Sequence, residues 1–64
     1  MNLFNRRVRD SRTGREGVVT GGTTDYRGNV VIYSVTESRN EDGIIWFHSY
    51  PDFLEVVDYS HGIL

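Results

Sequence analysis

Asn29-Val30-Val31-Ile32-Tyr33-Ser34-Val35-Thr36 is the stretch that most limits what this chain can become. Branching at Cβ stiffens Val, Ile and Thr at χ1 and suits a pleated surface better than a helical turn. Nearly every position here is β-branched or aromatic, so the run reads as a strand. Val31, Tyr33 and Val35 share one face, and Val30, Ile32 and Ser34 share the other. The first set is wholly apolar and is expected to face a core.

One strand needs partners, and the rest of the chain supplies them at short intervals. Arg7-Val8-Arg9-Asp10 alternates polar and apolar, as a half-buried strand does. Ser11-Arg12-Thr13 is a polar loop, and Gly14 and Gly17 punctuate the turn into Val18-Val19-Thr20. Gly21 to Thr24 reads as a strand end or bulge followed by a flexible loop, and Asp25-Tyr26-Arg27-Gly28-Asn29 as a turn. Glu37 to Gly43 is a polar connection ending in Asp-Gly, a strong hairpin signal. Ile44-Ile45-Trp46-Phe47-His48 follows as a strand, with Ile45 and Phe47 on one face and Ile44, Trp46 and His48 on the other. Both faces are apolar near the centre, so this strand is either central or has a use for its second face. Pro51 cannot donate to a ladder, and Ser49 to Phe53 suits one tight helical turn. Leu54 to Asp58 alternates as a last short strand.

The expectation is one all-β domain over residues 1–64, with 59–64 as a frayed tail. Its expected core is Val18, Val31, Tyr33, Val35, Ile45, Phe47, Phe53, Leu54 and Val56.

Val8 to Val19 resembles a KOW motif, the strand-loop-strand element of small SH3-like barrels in transcription elongation factors and some ribosomal proteins. Val8, Gly14, Gly17, Val18 and Val19 carry the resemblance. Asp10 departs from it, standing where such motifs usually carry a second apolar residue. Asp52 to Val57 is similar to the 3₁₀-turn-plus-last-strand ending of the same barrels. The resemblance implies a five-stranded SH3-like small barrel.

Sixty-four residues are few for a self-sufficient core. No cysteine is present to supply a disulfide or a thiolate ligand. Stability of ~3–5 kcal/mol is the natural expectation, and homodimerisation would raise it. No apolar run approaches the ~18 residues of a membrane span, and the N-terminus lacks a signal-peptide apolar region. A cytoplasmic protein is expected.

Net charge is −2, but it is unevenly spread. Residues 1–15 carry five Arg against Asp10, whereas residues 37–64 carry Arg39 against six acids. A barrel would place the first and last strands side by side, where the two ends attract each other.

Catalysis is not expected. There is no Cys nucleophile and no Ser in a nucleophile context. His48 and His61 with Asp52 or Asp58 fit no standard metal-ligand spacing, and no glycine-rich phosphate loop precedes a helix. No catalytic residue, metal or cofactor is assigned. Binding remains. Tyr26, Tyr33, Trp46, Tyr50 and Tyr59 are the aromatic candidates, with Trp46 foremost because Ile45 and Phe47 of its strand already serve the core. Its alternative place is a second small core under the Asn40–Gly43 hairpin. The first functional expectation is a protein-interaction module using Trp46, Ile44, Tyr26 and Tyr50. The alternative is RNA or DNA contact through Arg6, Arg7, Arg9, Arg12 and Arg15, whose planar guanidinium groups suit phosphates and stacked bases.

Overall fold

A computed structural model describes residues 2–57 of the chain. Five strands and one short 3₁₀ turn make up the fold: β1 (Arg7–Asp10), β2 (Glu16–Thr24), β3 (Val30–Asn40), β4 (Gly43–Ser49), the turn Pro51–Phe53, and β5 (Leu54–Val56). All pairings are antiparallel, and the sheet order is β4-β3-β2-β1-β5. The first strand therefore lies between the second and the last. β4 and β5 are the two edges, and no ladder joins them among the described residues. The expected tail, 59–64, lies outside the described residues.

Local chemistry sets each reversal. Gly14 adopts φ 78°, a left-handed conformation in which a side chain is strained, and its N–H donates to the Asp10 carbonyl. The Asp25 carboxylate accepts from the Arg27 and Asn29 amides and so folds the β2–β3 turn on itself. Asn40 Oδ1 does the same for the Asp42 amide between β3 and β4. Pro51 opens the 3₁₀ turn, where its missing N–H costs nothing, and the Phe53 N–H closes it on the Tyr50 carbonyl.

The core is Leu3, Val8, Val19, Tyr33, Val35 and Phe47, with Val30, Leu54 and Val56 packed against it. Tyr33, Val35 and Phe47 stand where the sequence reading expects them. Val31 and Ile45 do not, because both are about half exposed, at 46% and 52%. A β-bulge moves Val31. Thr23 pairs with Ile32 and Thr24 with Val30, so Val31 is the extra residue and the alternation slips by one. Val30 takes the inward place instead. Ile45 fails for a different reason. It pairs with Ser38, beyond Thr36, the last β3 residue that β2 reaches. The β3–β4 hairpin is two-stranded there, and little lies beneath it.

Val18 is only half-buried, while its neighbours Gly17 and Val19 face inward. Gly17 does not need an unusual φ. A Cβ at this position would collide with the Thr36 carbonyl oxygen, so β2 and β3 approach too closely for any side chain. Gly21 to Thr24 is not a loop but the continuation of β2, and Glu37 to Asn40 continues β3.

Asp10 is the most buried charged group described, 1% exposed. Its Oδ1 accepts from the amides of Arg12 (2.7 Å) and Thr13 (3.2 Å), and its Oδ2 accepts from the Ser49 hydroxyl (2.5 Å). Ser49 is buried as well. The bond thus joins the ends of β1 and β4, which are not neighbours in the sheet. Burial pushes the Asp10 carboxyl up. The Ser49 hydrogen bond, the two amides and the nearby Arg12 charge outweigh burial, and the group titrates below its ordinary value.

Two predictions follow from the core and one from its carboxylate. Val35→Ala should cost about 1–3 kcal/mol and Val31→Ala under ~0.5 kcal/mol, read as urea midpoint shifts at constant slope. Gly17→Ala should destabilise by at least ~1 kcal/mol through overpacking against Thr36. A folded-state pKa below the unfolded one stabilises fully above the unfolded value, and that stability is lost as pH falls through the folded value. The urea midpoint should therefore drop below about pH 4, and Asp10→Asn, less stable at neutral pH, should show a shallower drop.

Candidate binding face

β4 is an edge strand, which removes the first of the two alternatives read from its sequence, a central position. Its inward alternation ends with Phe47 and Ser49, which are buried. The opposite alternation, Ile44, Trp46 and His48, is exposed. Ile44 is 50% and Trp46 51% exposed, so neither enters a second core under the hairpin. The Trp46 and His48 rings meet edge to face at 4.7 Å, which fixes the indole on this side of the strand.

Neighbouring strands extend the face into an open groove of about 420 Å³, lined by Thr20, Gly21, Ser34, Thr36, Arg39, Ile44 and Trp46. Thr36 lies opposite Trp46, and Arg39 opposite Ile44, in the β3–β4 register. Thr20 and Thr36 share a hydroxyl–hydroxyl hydrogen bond of 2.8 Å across β2 and β3. The groove therefore has an aromatic and aliphatic wall, a hydroxyl-lined floor and a guanidinium at one end.

The other aromatic candidates lie elsewhere. Tyr26 is 89% exposed in the β2–β3 turn, at the opposite end of β3 from Ile44, with the Arg27 guanidinium 5.3 Å from its ring. Tyr50 is exposed between β4 and the 3₁₀ turn, edge-on to Phe53. Neither lines the groove. Tyr33 is buried and is a core residue, and Tyr59 lies outside the described residues.

The early arginines do not form one open basic patch. Arg7 and Arg9 alternate with the buried Val8 and Asp10 on β1. Arg7 Nε lies 2.8 Å from Glu16, and Arg9 donates to Glu55, directly opposite it on β5. Arg12 lies 3.9 Å from Asp10 and stacks over Phe53 at 4.4 Å. Arg15 pairs with Glu37 and covers Phe47 at 4.5 Å. That pairing holds the Glu37 carboxyl below its ordinary value. Arg6 precedes β1, and its N–H donates to the Leu3 carbonyl.

Arg39 is different. Among the described residues its side chain has no hydrogen bond, ion pair or ring contact. Sequence reading missed it, together with Thr20, Ser34 and Thr36, because Arg39 stood in a segment read as a loop. The Asp42-Gly43 dipeptide is the available signal: Asn40 and Gly43 pair across Glu41-Asp42, and so tight a turn extends both strands to its edge.

No group of three or more potential metal ligands occurs among the described residues. No helix among them is long and apolar enough to cross a membrane. In comparisons with known proteins, no family model, curated protein or solved structure matches this chain.

Trp46 is the sole tryptophan and reports on this face directly. Its emission should be readily quenched by acrylamide in the native state. Trp46→Ala should destabilise far less than Phe47→Ala, for which about 3–5 kcal/mol is expected.

Proposed function

We propose that this chain is a small, non-enzymatic SH3-like binding module that docks protein partners on the outer face of β4. The observation that carries this reading is a pair of half-exposed apolar side chains, Ile44 and Trp46, on one face of a strand whose outer edge has no ladder partner among the described residues. Trp is enriched among the residues that dominate interface energies. An exposed edge offers main-chain donors and acceptors to an incoming strand. The barrel part of the proposal is supported by strand order, by the 3₁₀ turn before β5, and by the side-chain bond from Asp10 to Ser49 across the open side.

RNA or DNA contact through Arg6, Arg7, Arg9, Arg12 and Arg15 has less support. Arg7, Arg9, Arg12 and Arg15 each face a carboxylate. A polyanion would have to displace those acids, and its affinity rises with every phosphate neutralised.

Selection from a random heptapeptide phage library tests the reading. Peptides should be enriched on the wild-type domain and lose at least ~2 kcal/mol of affinity, about thirtyfold, on Trp46→Ala. Enrichment indifferent to Trp46→Ala, or tight salt-resistant binding of a mixed-sequence oligonucleotide that Arg12→Glu and Arg15→Glu abolish, would overturn it.

A further inference from the structure

Arg39 stands apart in the electrostatics of this domain. Arg7, Arg9, Arg12 and Arg15 sit against carboxylates, and Arg27 against the Tyr26 ring. Arg39 has no such contact among the described residues, yet it lines the groove beside Ile44 and Trp46. The nearest acid along β3, Glu37, is already held by Arg15. A chain of net charge −2 thus presents an uncommitted cation at its most apolar exposed face.

We propose that the groove receives an extended peptide that adds to the β4 edge and carries a carboxylate for Arg39 next to an apolar side chain for Trp46. The proposal rests on the protein-docking reading above and names the chemistry of the partner. Three observations select this occupant. First, among the described residues β4 has β3 on one side only, so a strand laid along its exposed part, Gly43 to Trp46, finds an edge without a ladder partner. Second, β4 contains no Asp, Glu, Lys or Arg, and the acids Glu41 and Asp42 stand in the turn outside the groove lining, so Arg39 is the formal charge that the groove itself presents. Third, the groove holds a single arginine. One guanidinium complements one carboxylate well. A nucleic acid gains little from it, because each neutralised phosphate contributes only about 0.9 to the logarithmic salt slope.

A strand added beside β4 alternates its side chains as β4 does. Those on the groove side pass over Ile44 and Trp46, and the one nearest the Asn40–Gly43 turn comes within reach of Arg39, the β3 partner of Ile44. The apolar contact supplies affinity and the carboxylate sets direction and selectivity, since an exposed ion pair by itself contributes little.

The experiment is a charge swap on the peptides selected from the heptapeptide library, read by the fluorescence anisotropy of dye-labelled peptide with the domain at constant ionic strength. The enriched peptides should share an Asp or Glu beside an apolar residue. Replacing that acid by its amide should weaken binding to the wild type about threefold to fivefold. On Arg39→Glu the acidic peptide should lose at least about tenfold, and its Lys-substituted version should bind better than the acidic one. The Arg39 side chain has no hydrogen bond, ion pair or ring contact among the described residues, so the urea midpoint of Arg39→Glu should match the wild type. If that variant does not fold, Arg39→Gln should erase the acid-over-amide preference. Selected peptides that need Trp46 but ignore both Arg39 variants would overturn this inference and leave the docking proposal standing. Peptides that ignore Trp46 as well would remove both. Self-association of the domain through β4, seen by sedimentation and lost in Trp46→Ala, with no acidic preference among peptides, would replace the peptide by a second copy and overturn the inference.

Discussion

The hydrogen bond from Ser49 to Asp10 does what the backbone ladder leaves undone. In the order β4-β3-β2-β1-β5 the two residues sit on strands separated by two others. They meet only because the sheet curls on itself, and both are buried where it does. A carboxylate held out of water is costly unless it is paired and hydrogen-bonded. Here two amides of the β1–β2 loop and the Ser49 hydroxyl donate to it, and Arg12 stands near. One side chain therefore shapes the first loop, anchors the end of β4 and ties the open side of the sheet. In a domain with this small an apolar core, such a multiply bonded group carries a large share of the order.

The curl that makes this possible comes from extra residues. Thr20 is extra on β2, and Val31 and Glu37 are extra on β3. Each insertion bends its strand and increases the local twist. Gly17 permits the same bend from the other direction, because only a residue without Cβ lets β2 come so near Thr36. The bulge at Val31 also changes which side chains face inward, admitting Val30 and excluding Val31. Apolar patterning alone made these two valines interchangeable, and the backbone insertion decided between them.

Charge is arranged around the same frame. The basic start and acidic end of the chain meet as Arg9 and Glu55 on paired strands. Arg12 and Arg15 fold their guanidinium groups onto Phe53 and Phe47, so they act as lids on the apolar layer as well as ion-pair partners. These contacts draw the early arginines into holding the fold together. They leave Arg39 as the cation that has yet to find a partner among the described residues.

The sequence by itself determined the class of structure. β-Branched and aromatic runs such as Val30–Thr36, the turn residues Gly14, Asp25–Gly28 and Asp42-Gly43, and Pro51 before the last strand act over a few residues, and each was legible without tertiary information. The exposed alternation Ile44-Trp46-His48 was legible in the same way, because a strand's two faces follow from its period. Tertiary structure alone decided the rest. Bulge positions, the burial of Asp10, the half-exposure of Ile45 and the isolation of Arg39 depend on residues many positions apart. Asp10 needs Ser49 to be stable inside, Ile45 needs a third strand beneath it to be buried, and the Arg39 side chain has no partner among the described residues while Arg15 holds Glu37. Local propensity carries none of these facts, since they are set by which strand runs out first and which opposite charge reaches its partner.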